Sequence, residues 1–399
     1  MLNIKPYHEK VIKTCQELIR IPSLSGDEQE CANAIIDIMK TEGFDEVITT
    51  DYGSIIGRIN GKKDGKTLLF DGHMDTVDLV DYKAWNHDPF GAEIVDNKIY
   101  GRGSTDMKGS LTAMIMAAIY FARNNNRNFN GDIYIACSVQ EEHFEGISSR
   151  EISDYTKPDF VIIGEPSSLN IARGQLGRGE IKIETNGISA HSSNPQDGMN
   201  AVYGMMEVIN IITNAKLKTH NILGEGIIEL TDIISEPYPG ESIVPNLCRA
   251  TFDRRILVGE TKESVLEHIN KIIKVLNKES SGINSKAYYT QEEASFWTGG
   301  KVLIDKFFPA WLFNEDHELV QKVLKGLKKI NLNSTISHYS FCTNGSHYAG
   351  EKGIPTIGFG PSHKELTHII DEYIEIDQLI QGFNGFYGIM DAIVGRNYN

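Results

Sequence analysis

The sequence is poor in cysteine, and the cysteines that it has are not arranged for cross-linking. There are five, scattered along the chain without any C-x-x-C pair: Cys15, Cys31, Cys137, Cys248 and Cys342. This odd, dispersed set argues against a disulfide framework and against a zinc site built from thiolates. It predicts a protein of a reducing compartment.

Long hydrophobic runs are also missing. The N-terminal stretch MLNIKPYHEKVIK is charged and lacks the apolar core of a secretion signal. The longest apolar-rich run, residues 111–122, is too short to cross a bilayer. We therefore expect a soluble, cytoplasmic protein without a membrane partner.

The sequence has fewer basic than acidic residues. Lys and Arg number 39 against 54 Asp and Glu, which gives a formal net charge of −15. Such a chain repels phosphate backbones and anionic lipids, so we expect no nucleic-acid partner. The order G-x-x-x-x-G-K-[ST] is absent too, which argues against a phosphate loop at GRGSTDMKG.

The elements that are present alternate between strand and helix at both ends of the chain. Buried strand patterns such as GDIYIACSV and DFVIIG, with a long helix from Ser110, indicate an α/β domain. Near Gly174 the pattern changes to β-α-β-β-α-β, the order of a ferredoxin-like α+β unit, and from about Phe308 the α/β pattern returns. We predict a two-domain α/β protein in which residues 177–295 are inserted between residues 1–176 and 296–399.

Several buried strands end in residues that can bind metals. The stretch LLFDGHMDTV ends an apolar strand at His73 and Asp75, whose spacing puts both side chains on one face. Four more acids follow strands or precede the long helix: Asp106, Glu141, Glu142 and Glu165. Open α/β sheets place their active sites at the carboxyl ends of strands.

Crowded carboxylates are costly to bury unless a cation neutralises them. Histidine and carboxylates without thiolates suit zinc, manganese or cobalt in a two-metal site. Each residue alone has a simpler interpretation: His73 as a satisfied histidine, Asp75 as a turn former, and the other acids as solvated loop residues. Their joint placement favours the metal site.

Six motifs together resemble one enzyme family: GHMDTV, YGRGSTDMKG, QEE, GEPS, GISAHSSNP and THIIDE. Their order and spacing are similar to those of the zinc-dependent aminoacylases, acetylornithine deacetylases, succinyl-diaminopimelate desuccinylases and glutamate carboxypeptidases. The chain also resembles a hydrolase branch with RGQLGRGE and TNGSHYAGEKGIPTIGFGP. The resemblance implies a metallopeptidase α/β sandwich, with residues 1–176 and 296–399 as the catalytic metal-binding domain and residues 177–295 as a dimerisation or lid domain.

The resemblance also implies a ligand set for two divalent ions, zinc in the first place and cobalt or manganese as alternatives. Asp106 would bridge the ions, with His73 and Glu165 on one and Glu142 and His368 on the other. This matches the joint placement of the acids at strand ends.

Two further residues receive catalytic roles from the resemblance. Asp75 would orient His73, since a carboxylate that accepts the far ring N–H fixes the tautomer of a ligand. Glu141 would be the general base that takes a proton from a metal-activated water and later protonates the departing nitrogen.

The last ligand has to be chosen among three C-terminal histidines. His368 matches the family pattern because Asp371 and Glu372 follow it, as in the terminal motif. His363 lies in a loop pattern, and His347 is the second candidate, with a packing or substrate-pocket role as its simpler interpretation.

The inserted domain has polar residues of its own. His191 matches the family histidine that reaches the partner subunit's active site, although alone it would be a surface histidine. Arg255 matches a position where a guanidinium can bind a substrate carboxylate, the alternative being an ion pair with Asp253 or a nearby Glu. Weaker candidates for substrate contacts are Arg178, Asn246 and Gly345.

These expectations describe a homodimeric metal-dependent amidohydrolase that cleaves an N-acyl amino acid or a small peptide with a free carboxylate. Glu165 resembles the deacylase and carboxypeptidase members, since aminopeptidase members more often have Asp there. An aminopeptidase or dipeptidase is the second candidate. A catalytically silent ligand-binding relative and a structural dimer module stay open, but Glu141 and the ligand-type residues at strand ends argue against them.

Overall fold

A computed structural model describes residues 7–279 and 284–395, and the chain divides into two compact units. The first unit comprises Met1–Gln175, Ala294–Val302 and Leu312–Asn399, and the second comprises Leu176–Glu293 and Leu303–Trp311. The predicted two-domain, mixed α/β architecture is confirmed. The second unit also takes Leu303–Trp311, which the sequence pattern placed outside the insertion, because Phe307–Phe308 pairs with a strand of the second unit.

The first part of the chain alternates strands and helices. Its elements are α1 (His8–Ile19), α2 (Gln29–Glu42), β1 (Glu46–Thr49), β2 (Ile55–Asn60), β3 (Lys63–His73), β4 (Ile94–Val95), β5 (Lys98–Tyr100), α3 (Gly109–Asn124), β6 (Asn130–Ser138), α4 (Ser149–Thr156), β7 (Phe160–Ile163) and β8 (Ile171–Gln175). The apolar spacing in the sequence predicts that the first helix begins at residue 5, and that residue lies outside the described part of the chain.

The middle part forms most of the second unit. Its elements are β9 (Gly177–Asn186), α5 (Ala201–Thr213), β10 (Thr219–His220), β11 (Gly224–Glu225), β12 (Ile227–Glu236), β13 (Leu247–Ile256), α6 (Lys262–Glu279) and β14 (Asn284–Tyr289). The returning chain contains β15 (Gln291–Ser295), β16 (Lys301–Asp305), β17 (Phe307–Phe308), β18 (Trp311–Leu312), α7 (Glu318–Lys329), β19 (Ile336–Tyr339), β20 (Thr356–Gly358), β21 (Tyr373–Glu375) and α8 (Ile376–Val394).

The large sheet has the order β1-β2-β6-β3-β7-β20-β8-β18, and β19 also pairs with β8. Its centre is parallel, because β3 runs parallel to β6 and β7, and β20 runs parallel to β7. Central parallel strands are covered on both faces, which explains the continuous apolar run at the end of β3. Leu69 joins a buried cluster with Ile152 of α4, while the ring of Phe70 lies 5.8 Å from that of Phe386 in α8.

The register of the sheet brings three strand ends to one edge. His73 of β3 is opposite Ser138 of β6, and Asp71 is opposite Ile163 of β7. The residues that follow β6 and β7 therefore emerge beside His73. This is the edge where the sequence predicted the metal site.

The second unit is an antiparallel sheet of order β12-β13-β9-β14, with β17 also paired to β9. Helices α5 and α6 contribute Met205 and Ile269 to a buried cluster with Ile181 and Phe252 of the sheet. The β-α-β-β-α-β order is the one predicted, with the short β10–β11 pair added. Alternate residues of β9 point away from the helices, which fits its alternation of buried and half-buried residues.

None of the helices in residues 7–279 and 284–395 combines the length and apolar character that a bilayer crossing requires. All five cysteines are buried, and none of them is in a disulfide.

One glycine permits a close backbone approach behind the predicted site. A Cβ on Gly360 would lie 2.3 Å from the carbonyl oxygen of Gly164 and 2.4 Å from that of Glu165. We expect Gly360→Ala to lower the free energy of unfolding by about 1–3 kcal/mol, because two backbone segments would have to separate. Chemical denaturation measures this.

Gly300→Ala is the control for that substitution, because the nearest atom to its added Cβ would be 3.8 Å away. It should change the free energy of unfolding by no more than about 0.5 kcal/mol. Equal stability of the two variants would contradict the steric argument.

Candidate metal centre

The Asp106 carboxylate lies between two histidines, just before α3. Its Oδ1 is 3.0 Å from His73 Nε2, and its Oδ2 is 3.2 Å from His368 Nε2. The two oxygens thus face different imidazoles, which is the arrangement that a carboxylate needs to bridge two cations.

The other predicted acids complete a cluster around these three residues. Glu165 Oε1 is 3.5 Å and Glu141 Oε2 is 3.9 Å from His73 Nε2, and Glu142 Oε2 is 3.0 Å from His368 Nε2. Ligand atoms within 4.8 Å of one another form two groups: His73, Asp106 and Glu142, and His73, Glu141 and Glu165. The structure thus brings together all the predicted ligands and the predicted base.

The ligands have supports of different rigidity. His73 ends β3, and Glu141, Glu142 and Glu165 follow the neighbouring strands β6 and β7. His368 instead lies in an irregular segment with φ of 60°, and half of its side chain (50%) is exposed. One side of the cluster is therefore built on the sheet, and the other side reaches solvent through His368.

Burial and mutual repulsion shift the carboxyl pKa values upward. Burial, followed by the charge of Glu165, raises the pKa of Glu141 well above its usual range, and burial with Asp106 does the same for Glu165. Burial and Asp106 raise the pKa of Glu142 to about 7. These carboxylates therefore resist being charged together without a cation.

The groups bonded to histidine behave differently. Burial alone would raise the pKa of Asp106, but hydrogen bonds from His368 and His73 hold it below its usual range. Hydrogen bonds of His368 to Asp106, and next to Glu142, raise the pKa of His368 to about 10. In the metal-free protein, a protonated imidazole therefore supplies to these carboxylates the positive charge that a cation would supply.

Buried oxygens without partners support a cation site. Glu141 Oε1 and Glu142 Oε1 are buried and accept no hydrogen bond from any residue that the structure describes. Buried polar atoms are rarely left unsatisfied, and a metal ion, or a water molecule beside it, would satisfy such oxygens. The donor set of imidazoles and carboxylates suits zinc, manganese or cobalt. The residues present therefore fit a pair of divalent cations.

Asp75 contacts His73 differently from the prediction. The ring Nδ1 of His73 is 2.8 Å from the backbone carbonyl oxygen of Asp75 and 3.6 Å from its carboxylate, so the carbonyl orients the ring. The carboxylate instead accepts hydrogen bonds from Ser25 Oγ (2.7 Å) and from the backbone N–H groups of Glu141 (3.1 Å) and Glu142 (3.2 Å). Asp75 therefore holds the segment that carries the predicted base.

The sequence analysis missed a second carboxylate that holds this segment. Glu28 is fully buried, and its Oε1 accepts the backbone N–H groups of Gln140 (3.1 Å) and Gly26 (2.9 Å). Burial and the charge of Asp75 raise the pKa of Glu28 to about 8. No sequence signal identified Glu28, since it precedes Gln140 by 112 positions and its neighbours resemble an ordinary helix start.

The sequence analysis also missed a hydrogen-bond network around Asp71, two residues before the end of β3. The buried Asp71 carboxylate accepts hydrogen bonds from Tyr348 Oη (2.6 Å), Asn344 Nδ2 (2.8 Å) and Ser138 Oγ (3.2 Å). The network ties the strand that carries His73 to the segment TNGSHY. The predicted substrate residue Gly345 is buried in that segment, where its N–H donates to Thr343 Oγ1 at 3.0 Å.

The two alternative histidines are engaged elsewhere. His347 is buried between Ser153 Oγ, 2.8 Å from its Nε2, and Glu351 Oε2, 2.6 Å from its Nδ1. His363 Nδ1 is 2.8 Å from Ser168 Oγ. The geometry thus favours His368 as the last ligand.

Four predicted residues belong to the second unit: Arg178, His191, Asn246 and Arg255. His191 is exposed, and its Nδ1 accepts the N–H of Ser193 at 3.1 Å. Within this unit, Asn246 makes backbone hydrogen bonds, donating to Glu236 and accepting from Gly187.

The two arginines share one carboxylate. Arg255 Nε is 2.8 Å from Asp253 Oδ1, and Arg178 Nε is 2.9 Å from Asp253 Oδ2. The ion pair between Arg255 and Asp253, one of the two interpretations from sequence, is therefore present. It places two guanidinium groups beside each other on the face of the sheet away from the helices.

Comparisons with known proteins agree with this geometry. A model of the family described as Peptidase family M20/M25/M40 matches residues 69–392. The chain is 29% identical over 373 residues to Uncharacterized protein YgeY of Escherichia coli (strain K12), covering 92% of this chain and 90% of that protein. It is 27% identical over 387 residues to Acetylornithine deacetylase of Buchnera aphidicola subsp. Schizaphis graminum (strain Sg), covering 91% and 93%.

Solved structures share the fold. A tripeptidase from Staphylococcus aureus subsp. aureus Mu50 has a TM-score of 0.76 at 18% identity, over 97% of this chain and 98% of that chain. The YXEP protein of Bacillus subtilis, described as a dinuclear metal binding peptidase of the M20 family, has a TM-score of 0.71 at 14% identity over 98% of both chains. At these identities, the likeness concerns the fold.

The shifted pKa values predict how the metal-free protein responds to pH. A carboxyl whose pKa is higher in the folded than in the unfolded state keeps its proton in the native protein at pH values where the unfolded chain has lost it. The free energy of unfolding therefore falls as pH rises from the unfolded pKa to the folded pKa, which for Glu142 is from 4.5 to about 7. His368 acts in the same direction, because the stability that its proton contributes is lost as pH rises from 6.5 through about 10. The melting temperature of chelator-treated protein should therefore fall between about pH 6 and about pH 9.

Calorimetry with and without added zinc, manganese or cobalt measures this response. Metal should raise the melting temperature more at the alkaline end, since cations remove the repulsion between the ligands. Glu142→Gln should flatten the response of the chelated protein. A melting temperature that rises with pH over this range would contradict the electrostatic account.

Proposed function

Because the chain belongs to the peptidase family M20/M25/M40 and is a hydrolase of that family, we propose that it cleaves the amide bond of an N-acyl amino acid or of a small peptide with a free carboxylate. The observation that carries the proposal is the position of the Asp106 carboxylate, which directs one oxygen toward His73 and the other toward His368. This arrangement supports a catalytic centre of two divalent ions, for which we propose zinc, with cobalt or manganese as alternatives.

We assign the metal ligands as the sequence predicted. His73 and Glu165 would hold one ion, Glu142 and His368 would hold the other, and Asp106 would contribute to both. When bound, the two ions would polarise the substrate carbonyl and lower the pKa of a water molecule. Glu141 lies close enough to His73 to be a ligand as well, at 3.9 Å, so its role needs its own test.

Glu141 is the proposed general base. Its Oε1 is buried and accepts no hydrogen bond from the described residues, so this oxygen is available to a proton. Its raised pKa, caused first by burial, suits a group that takes a proton from water and returns it to the departing nitrogen. Asp75 keeps Glu141 in place by accepting its backbone N–H.

We propose that Arg255 binds the substrate carboxylate, with weaker contributions from Arg178, Asn246 and Gly345. Both guanidinium groups contact the Asp253 carboxylate, and Arg178 also lies 3.9 Å from Glu180. A guanidinium can form two parallel hydrogen bonds with a carboxylate. The Asp253 contact would then hold Arg255 in position for its ligand.

The second candidate function is that of an aminopeptidase or dipeptidase, and it is supported by the fold likeness to a tripeptidase. A panel of N-acyl amino acids and free dipeptides, assayed with protein loaded with zinc, manganese or cobalt, separates the two. Hydrolysis restricted to peptides with a free amino group would favour the second candidate. No turnover of any amide would favour a catalytically silent relative.

Glu141→Gln should abolish turnover while both ions stay bound, because the amide keeps the shape of the residue but cannot take up a proton. Metal content is measured by elemental analysis, and the fold by circular dichroism. Asp106→Asn is the contrasting variant and should lose metal. Loss of both ions in Glu141→Gln would instead make Glu141 a ligand.

We further propose a cytoplasmic homodimer joined through the second unit, in which His191 acts in the partner's active site. Large apolar side chains are exposed on α5 and along the edge strand β12: Tyr203, Met206, Ile227, Ile233 and Ile234. An unpaired strand edge and exposed apolar residues are features of association surfaces. The five cysteines form no disulfide with one another, which supports a reducing compartment.

A mixing experiment tests the role of His191 across the dimer. His191→Ala and Glu141→Ala should each be inactive alone, whereas a mixed dimer has one site with both groups intact. Random exchange of subunits should restore about one quarter of the wild-type activity, from symmetry alone. A monomeric active enzyme, or no recovery after proven exchange, would contradict the proposal.

A further inference from the structure

The carboxylate of Glu372 holds the loop that presents Asp106. Its Oε2 accepts a hydrogen bond from Arg102 Nη1 at 2.6 Å, and its Oε1 accepts the backbone N–H groups of Thr105 (2.8 Å) and Asp106 (3.1 Å). Glu372 is 0% and Arg102 2% exposed, so this set of contacts is shielded from water. One side chain therefore binds three donors of the segment RGSTD.

Glu372 also belongs to the segment that carries His368, four residues earlier. His368 is not part of a helix or strand, its φ is 60°, and its side chain is half exposed. The segment is held beyond His368 by Asp371, which accepts the backbone N–H of Asn86 (2.8 Å), and by the pairing of β21 with β5. Of these attachments, only Glu372 reaches the backbone of Asp106.

The other half of the cluster is supported in a different way. His73 and Glu165 lie at the ends of β3 and β7, which pair with each other in the centre of the sheet. Among the described residues, the Glu372 carboxylate bonds to Arg102, Thr105 and Asp106 and to no residue of these strands. A change at Glu372 should therefore disturb the spacing between Asp106 and His368 more than that between Asp106 and His73.

We propose that Glu372 is a positioning residue that sets the affinity of the ion held by His368 and Glu142, with much less influence on the ion held by His73 and Glu165. The inference rests on the proposed two-metal centre and adds that its two ions depend on different supports. Groups that position ligands without touching the metal commonly change metal affinity by about 10- to 100-fold. Ligand atoms need placement within about 0.5 Å, which a loop achieves only when it is anchored.

The test is a metal titration of Glu372→Gln. Chelator-treated protein is titrated with zinc by calorimetry, and bound metal is counted by elemental analysis. We expect one ion to bind with wild-type affinity and the other to bind about 10- to 100-fold more weakly, so that the protein holds one ion at limiting zinc. Equal weakening of both ions, or two ions of unchanged affinity, would overturn the inference.

Glu260→Gln provides a matched control in the second unit. Glu260 is also buried against an arginine, with Arg254 Nη2 3.0 Å from both of its carboxylate oxygens, and it accepts the N–H of Leu257 at 2.9 Å. This variant loses a similar buried ion pair and should lose stability, yet both metal affinities should stay at wild-type values. A matching loss of metal in the control would mean that stability alone explains the effect of Glu372→Gln, and the inference would fail.

A double variant tests whether Glu372 acts through His368. His368→Ala should weaken the same ion, and His368→Ala/Glu372→Gln should be no weaker than His368→Ala alone, because the second change removes support from a ligand already lost. Additive losses would contradict this coupling. If Glu372→Gln does not fold, Arg102→Lys keeps the buried charge and should show the same preferential loss; equal loss of both ions there also overturns the inference.

The same titration separates this inference from the proposed function. Wild-type protein that binds no zinc, manganese or cobalt would refute the metal centre itself. Wild-type protein with two ions, together with a Glu372→Gln variant that also holds two at wild-type affinity, would refute only the role of Glu372.

Discussion

The site depends on keeping four carboxylates within a few ångströms of one another in a buried place. Asp106, Glu141 and Glu165 are all less than a tenth exposed, and each lies near His73. Mutual repulsion and the loss of hydration oppose this arrangement, which is why the carboxyl pKa values rise with burial. Imidazoles offset part of the cost, and cations would offset the rest.

The fold meets this constraint with two kinds of support. Parallel strands β3, β6 and β7 bring their carboxyl ends to one edge, so the ligands that follow them start from a rigid base. The parts of the site that are not on strands are held by a recurring contact, in which a buried carboxylate accepts backbone N–H groups. Glu28 does this for residue 140, Asp75 for residues 141 and 142, and Glu372 for residues 105 and 106.

The buried carboxylates that accept these backbone N–H groups also affect the electrostatics of the whole centre. Glu28, Asp75 and Glu372 are themselves buried acids, and burial is the first cause that raises the pKa of Glu28 to about 8 and the pKa of Glu372 above its usual range. Arg102 balances Glu372 directly, with 2.6 Å between the closest atoms. The carboxylates of the cluster favour divalent cations over water in the centre, and their raised pKa values make the stability of the metal-free protein sensitive to pH.

Membership of the hydrolase family and the geometry of the centre concern the chemistry, whereas the substrate recognition that we propose depends on other residues. The candidates for that role, Arg178, Asn246 and Arg255, lie in the second unit. The shared contact of two arginines with Asp253 is the feature of that unit most suited to an anionic group. A catalytic centre on one unit and recognition on the other would let the same chemistry serve different substrates.

Local patterns in the sequence determined the elements and much of the centre. The apolar run before His73 and the runs before residues 141 and 165 marked buried strands, and parallel pairing then put their ends together. His368 could be chosen over His347 only through the spacing of a known motif, because neither histidine ends a predicted strand that would place it beside the other ligands. Where a residue's position followed from its own strand, the sequence was sufficient to predict that position.

Only the tertiary structure decided which groups hold the ligands in place. The choice between the carbonyl and the carboxylate of Asp75 depends on distances of 2.8 and 3.6 Å, which no spacing rule resolves. Glu28 and Glu372 act on backbone groups 112 and 267 residues away in the chain. A hydrogen bond between such distant segments leaves no periodic trace in either of them, since its energy depends on the folded positions of both partners.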